Sequence, residues 1–225
     1  MKVISIFGGT GFIGIELINE LVKLPFEIRL FSRNIKKLGE LGCHPSLILV
    51  EYSNKTNLSN DLKGSDVIIN LVGILHESRR IKFSMVHEDY ISMLIDSALK
   101  LKIKRFIHLS ALGVNKELSS NYLNSKYKSE IILKEKFKRY DWTIFRPSIV
   151  FGPEDKFINL FKKMVRFLPV IFLVSPKSEF QPIHVGDLVD IIIKSLGDKK
   201  TYKQVFNIGG PRKFTFYEII KLITK

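Results

Sequence analysis

Gly8-Gly9-Thr10-Gly11-Phe12-Ile13-Gly14 is the segment whose residue types and spacing could do the most chemistry. It follows an apolar run at residues 3–7 and opens an amphipathic run over 12–24. In that setting Gly8 turns the chain tightly out of a strand, Gly11 leaves room for a ligand's phosphates, and Gly14 lets a helix pack close to the strand. Unpaired amides and the helix dipole favour negative charge at such an N-terminus. The spacing therefore predicts a pyrophosphate cradle built from all seven residues.

Two more groups of residues extend the site. At the end of the second expected strand stand Ser32 and Arg33, where an acidic residue would accept from a ribose 2′-hydroxyl. These two can instead donate to a 2′-phosphate, which favours NADP(H) as cofactor and leaves NAD(H) as the alternative. Tyr122 and Lys126 lie four apart on an expected helix and share a face. The ammonium is expected to lower the phenol's pKa so that Tyr122 exchanges a proton with a substrate oxygen, while Ser110 polarises that oxygen. Tyr217 and Lys221 repeat the spacing without a preceding strand-end serine. His76, His87, His108 and His184 have no metal-ligand spacing, so no metal site is expected.

The elements that must position these groups follow from hydrophobic periodicity. Short apolar runs alternate with amphipathic segments, which predicts an α/β fold, a doubly wound parallel sheet of the Rossmann type. Six parallel strands are expected at residues 3–7, 27–31, 47–50, 67–71, 105–109 and 142–146. Helices are expected over 12–24, 83–101 and 122–138, the last with Ile131, Ile132 and Phe137 inward and its lysines outward. Residues 1–150 thus read as a dinucleotide-binding domain. Residues 151–225 read as remaining Rossmann elements and a small, partial substrate-side lobe, with a helix at 157–167, an apolar stretch to 174, a strand at 180–184 and a helix from Thr215. A first strand so near Met1 leaves no room for a leader, and a last helix cut short implies that the natural chain continues.

A chain of 225 residues, 45% hydrophobic and 26% charged, can bury a sizeable core and is ordinary for a globular protein. Its apolar runs fall well short of the roughly 20 residues that span a bilayer. Cys43, the single cysteine, excludes an intramolecular disulfide. The net charge of +14 predicts attraction to an anionic partner such as lipid headgroups or an acidic protein surface. Lysines gather at Lys100, Lys102 and Lys104 beside Arg105, and again between 126 and 139. Without an aromatic-basic recognition module, nucleic acid is disfavoured.

Beyond single motifs, the chain resembles an atypical extended short-chain dehydrogenase/reductase of the NAD-dependent epimerase/dehydratase kind. It is most similar to the NADPH-binding accessory subunits of respiratory complex I and their bacterial relatives. The resemblance rests on residues 7–14, 70–75 (NLVGIL), 108–113 (HLSALG), 122–126 (YLNSK), 146–155 (RPSIVFGPED) and 181–185 (QPIHV). It implies that Asn70, Leu71, Val72 and Gly73 line the adenosine half of the cofactor. Pro147, Ser148 and Ile149 would approach the nicotinamide, Leu109 would also touch the cofactor, and Ser110, Tyr122 and Lys126 match the family's catalytic positions. Two departures stand out: Phe7 replaces a common Thr, and Glu51-Tyr52 replaces an expected Gly-Asp near the adenine.

The resemblance implies one of two functions. The first is a cofactor-binding accessory or assembly protein with complex I subunits and an anionic membrane surface as partners. It would sit in a bacterial cytoplasm, peripheral to the inner membrane, or on the matrix side if organellar. The second is an NADPH-dependent reductase or sugar-nucleotide epimerase/dehydratase acting on a small carbonyl or sugar. Val72, Ile74, Leu75 and the stretch 167–174 would either line an apolar pocket for a quinone or lipid-like ligand, or simply pack the core.

Overall fold

The computed structural model describes residues 1–51, 58–115, 120–155, 157–167 and 175–223. The apolar runs form β1 (Lys2–Phe7), β2 (Phe26–Ser32), β3 (Leu47–Glu51), β4 (Val67–Asn70), β5 (Arg105–Leu109) and β6 (Asp141–Pro147). Shorter strands follow as β7 (Val150–Phe151), β8 (Glu179–Phe180), β9 (Ile183–His184), β10 (Gln204–Ile208) and β11 (Phe214–Thr215). The helices are α1 (Phe12–Leu21), α2 (Leu58–Asp61), α3 (Tyr90–Lys100), α4 (Asn121–Lys136), α5 (Phe157–Phe167), α6 (Val185–Ser195) and α7 (Phe216–Ile223).

The main sheet has seven strands in the order β10-β6-β5-β4-β1-β2-β3, and each pairing is parallel. β4 and β5 are buried along their whole length, because helices cover both faces. One core joins Leu17, Ile18 and Leu21 of α1 to Leu188, Val189 and Ile192 of α6. The other joins Leu94, Ile95 and Ala98 of α3 to Leu133 and Phe137. Each fully buried Leu, Ile or Phe stabilises the fold by roughly 1.5–3 kcal/mol. The strand order reverses between β1 and β4, so the loops leaving these neighbours diverge and open a crevice at the carboxyl rim of the sheet.

Several expectations need correction. The sheet has seven parallel strands, not six: β10 escaped the sequence pattern because it is a half-exposed outer strand broken by Gln204 and Asn207. The helix expected over 12–24 stops at Leu21. The helix expected over 83–101 begins as a π turn, Ser84–Asp89, whose extra residue per turn brings His87 into the interior. On α4 the buried face is Ser125, Lys126, Ser129, Glu130 and Leu133; Ile132 is half-buried and packs against the second core as expected, whereas Ile131 is half-buried without joining it. Phe137 is fully buried as expected. The strand expected at 180–184 is split at Gln181-Pro182 into β8, antiparallel to β11, and β9, parallel to β7.

The C-terminal lobe packs around Phe157, Phe161, Phe180 and Phe216, whose rings meet edge-on or tilted at 5.0–6.4 Å. Its last helix starts with a capping box: the Glu218 carboxylate accepts from Thr215 N–H at 2.7 Å, and Thr215 Oγ1 accepts from Glu218 N–H at 3.2 Å. At the opposite, amino rim of the sheet, buried Arg105 donates to the carbonyls of Asp141 (3.2 Å) and Ser195 (3.0 Å) and to Thr201 Oγ1 (3.3 Å). Its guanidinium also lies 4.5 Å from the centre of the Tyr202 ring. The apolar stretch 168–174 and Tyr52 lie outside the described residues.

Candidate functional site

The glycine turn sits where β1 ends and α1 begins. Gly8 has φ +82°, and a Cβ there would lie 2.9 Å from backbone atoms of Leu71 and Val72, so no side chain is tolerated. A Cβ on Gly14 would lie 2.4 Å from Gly9 Cα, which fixes how closely α1 approaches the turn. Gly11 is exposed and is the N-cap of α1 without any side-chain capping bond. The first-turn amides around Phe12 and Ile13 are thus left to an acceptor from outside, which is the electrostatic condition for holding a diphosphate.

Thr10 and Ser32 join this turn to the end of β2, with their hydroxyls 3.2 Å apart. Ser32 is buried and its Oγ accepts from Asn34 N–H at 3.1 Å. Arg33 is exposed beside it, with no ion pair among the described residues. After β4, buried Asn70 accepts from Val72 N–H at 3.1 Å and thereby curls Leu71 and Val72 against Gly8. Val72 packs against the second core and Leu75 is exposed. Gly73 borders the Lys126 amine, since a Cβ at that glycine would stand 3.1 Å from Nζ. One short loop therefore connects the glycine turn to the Tyr122 and Lys126 helix.

Lys126 is buried and donates to the Leu109 carbonyl at 3.1 Å. Burial lowers its pKa from 10.5 to about 8, with nearby Glu130 acting in the opposite direction. The expected activation of Tyr122 is not found. Burial pushes the phenol above its ordinary value, and its ring packs edge-on against Phe83 and His87 at 5.8 and 5.9 Å. Ser110 also departs from its expected part. Its hydroxyl donates to Glu130 Oε1 at 2.6 Å instead of standing free to polarise a substrate oxygen.

Glu130 itself is fully buried and is gripped by Arg146 through two bonds, Nε to Oε1 at 2.8 Å and Nη2 to Oε2 at 2.6 Å. Such a forked contact satisfies a buried carboxylate that would otherwise be costly. Pro147, Ser148 and Ile149 follow Arg146. Their backbones are bonded to Leu112, Ile208 and Ile183 at 2.9, 2.8 and 2.9 Å, which fixes the path of this segment at the carboxyl rim.

Two histidines carry structure that the sequence did not announce. His87 Nε2 accepts from Ile74 N–H at 3.1 Å, so its Nδ1 donates to Ser125 Oγ at 2.8 Å, and Ser125 donates to the Tyr122 carbonyl. With Asn70 Oδ1 occupied by Val72 N–H, the Asn70 amide faces His108 Nδ1 at 3.3 Å. His108 Nε2 then donates to Ser129 Oγ at 3.1 Å, and Ser129 to the Lys126 carbonyl. Burial, reinforced by Lys126, lowers His87 to about 3 and His108 well below its ordinary 6.5. Both rings are neutral ties between the β4 and β5 loops and α4. The one sequence signal was His108 between apolar residues of the strand RFIHL, and it concerns that histidine alone. No cluster that could hold a metal occurs among the described residues.

A family model described as NAD(P)H-binding matches residues 8–159, more than half of the chain. Among curated proteins the chain is similar to the mitochondrial NADH-ubiquinone oxidoreductase 40 kDa subunit of Neurospora crassa. The two are 24% identical, over 98% of this chain and 59% of that protein. It is likewise similar to the mitochondrial NADH dehydrogenase [ubiquinone] 1 alpha subcomplex subunit 9 of Dictyostelium discoideum, 29% identical over 98% of this chain and 63% of that one. The chain thus spans less than two thirds of the length of these relatives. Among solved structures it shares its fold with MoeE5 in complex with UDP-glucose and NAD, at a TM-score of 0.85 and 18% identity over 99% of this chain and 81% of that one.

Proposed function

The chain belongs to the NAD(P)H-binding family, and on that premise we propose that it retains a nicotinamide dinucleotide as a structural element of an accessory subunit or assembly factor of respiratory complex I. The first-turn amides of α1 and the Gly8 to Gly14 turn hold the pyrophosphate. Asn70, Leu71, Val72 and Gly73 border the adenosine half, and Leu109, Tyr122, Lys126, Pro147, Ser148 and Ile149 border the nicotinamide half. The exposed guanidinium of Arg33 next to Ser32 favours NADP(H) over NAD(H), because both side chains can donate to a 2′-phosphate. The partners are complex I subunits and the anionic surface of the membrane that carries them. No helix among the described residues is long and apolar enough to cross a membrane.

A nicotinamide in this site would supply hydride chemistry, but the residues around it are set for holding. The observation that carries this reading is the 2.6 Å bond from Ser110 to Glu130, itself gripped by Arg146. A serine whose proton is committed to a buried carboxylate does not offer it to a substrate oxygen, and a phenol with a raised pKa is a poor proton donor at neutral pH.

The second reading, a reductase or sugar-nucleotide epimerase on a small carbonyl or sugar, draws support from Tyr122 and Lys126 sharing one side of α4. A Lys126 pKa of about 8 also supports it. Mass spectrometry of nucleotide released from purified protein, with turnover assays on carbonyl and sugar-nucleotide panels, separates the two. Retained NADP(H), no turnover and co-migration with complex I from native membranes are expected. Turnover abolished by Tyr122→Phe would overturn the first reading, and NADH binding about tenfold tighter than NADPH would overturn the choice of cofactor.

A further inference from the structure

Three loops enter neighbouring strands at the amino rim of the sheet, opposite the glycine turn. Residues 101–104 lead into β5, 137–140 into β6, and 196–203 into β10, and β5, β6 and β10 lie side by side. The first loop presents Lys102 and Lys104, the second Lys138 and Arg139. The third presents Lys199, Lys200 and Lys203. All seven side chains are exposed, and none makes an ion pair with a described residue. Asp198 is the one acid in these loops, and its carboxylate is already occupied by Lys200 N–H at 2.9 Å. Strand neighbours are about 4.8 Å apart, so the three loops form one continuous cationic plate.

Backbone bonds lock the plate together. Asp141 N–H donates to the Lys104 carbonyl at 2.9 Å and Lys203 N–H to the Trp142 carbonyl at 2.6 Å. Lys102 and Lys203 hold φ values of +58° and +57°, the left-handed region where glycine or asparagine is the ordinary occupant. Lysines at two such positions, facing solvent without partners, put charge where turn geometry would favour a small residue.

We propose that this amino rim docks onto the anionic surface of a lipid bilayer, with the dinucleotide site facing away from it. The inference deepens the accessory-subunit reading and rests on it for the presence of a membrane. Charge complementarity carries it, since each basic side chain near an anionic surface strengthens binding roughly fivefold. Nucleic acid fits less well. The aromatic rings at this rim are taken, Tyr140 by Phe137 at 5.0 Å and Tyr202 by Arg105, so no ring is offered for base stacking. Six of the seven cations are lysines, point charges suited to a diffuse layer of headgroups more than to forked recognition of one phosphate.

Vesicle flotation of the purified full chain tests the proposal. The vesicles contain phosphatidylglycerol and phosphatidylcholine, or phosphatidylcholine alone. The variant Lys102→Asn, Lys104→Gln, Lys138→Gln, Lys203→Asn is compared with a control of equal charge change on the lobe: Lys162→Gln, Lys177→Gln, Arg212→Gln, Lys213→Gln. The rim variant is expected to lose at least about tenfold in binding to the anionic vesicles while the control changes by less than about twofold. Native binding is expected to fall steeply with added potassium chloride. Should the rim variant misfold, Lys199→Glu with Lys200→Glu on the exposed turn serves instead. Equal losses in both variants, no native binding, or a preference for RNA at matched phosphate concentration would overturn the docking surface. Nucleotide retention and co-migration with complex I are read on the same preparations. Failure of the surface with both intact leaves the function standing, and failure of co-migration with rim-dependent vesicle binding does the reverse.

Discussion

The two rims of the one sheet treat charge in opposite ways. At the carboxyl rim, Lys126, Glu130, His87 and His108 are buried and each has a named partner. At the amino rim, seven cations stand in water with no counter-ion among the described residues. The first arrangement fixes geometry, because a buried polar group is stable only where its bonds are made. The second leaves the charged side chains free in water above a fixed backbone and keeps the field available to an outside partner. One fold thus separates a rigid binding end from an electrostatic end.

The contrast can be broken most severely at the glycine turn. Gly14→Val is expected to destabilise the fold by on the order of 3 kcal/mol or more, because its Cβ meets backbone and not a side chain that can move. Gly11→Ala meets only the Gly8 carbonyl, tightly at 3.2 Å, so it should cost far less stability than Gly14→Val and yet lose nucleotide. Calorimetry and nucleotide retention on the pair decide whether the turn is built for a ligand or only for packing. Next comes Glu130→Ala, which removes the partner of Arg146 and Ser110 and should cost about 3 kcal/mol in urea unfolding.

A smaller effect is read from pH. His87 is neutral in the fold down to about 3 but takes a proton near 6.5 when unfolded. The unfolded chain therefore binds more protons in that window, and stability is lost as pH falls from 6.5 toward 3. His87→Gln should flatten the loss between pH 7 and 5 by on the order of 1 kcal/mol. Lys126 adds the complementary slope, with stability recovered as pH rises from about 8 to the unfolded value, and Lys126→Met should remove it. The smallest effect belongs to the amino rim, where replacing Lys104 or Lys199 by Gln should shift stability by less than about 0.5 kcal/mol. A large loss there would erase the distinction between the rims.

The sheet was legible where periodicity was strong. β1 and β3 through β6 are mostly apolar and β2 sets Ile28 and Leu30 between Glu27 and Arg29, whereas β10 spends two of its five positions on Gln204 and Asn207 and α6 follows a strand too short to announce it. The glycine turn was legible because the backbone itself demands those glycines at positions 8 and 14. What stayed hidden was the direction in which polar side chains point. Spacing put Tyr122 and Lys126 on one face, but it could not show that Lys126 turns to Leu109, that Ser110 turns to Glu130, or that a π turn carries His87 inward. Those choices are made between residues distant in sequence, 38 apart for His87 and Ser125, and no local pattern encodes them.

Arg105 has a consequence for how the amino rim opens. Its guanidinium holds carbonyls on β6 and α6 and the hydroxyl of Thr201, while its Nε has no hydrogen-bond partner among the described residues. Losing any one of these attachments strips a desolvated cation further, so fraying of a single segment is resisted by the other two. The amides around Ser195, Thr201 and Lys203 should accordingly trade their hydrogens with deuterium in one concerted event, and Arg105→Met should let each exchange on its own schedule.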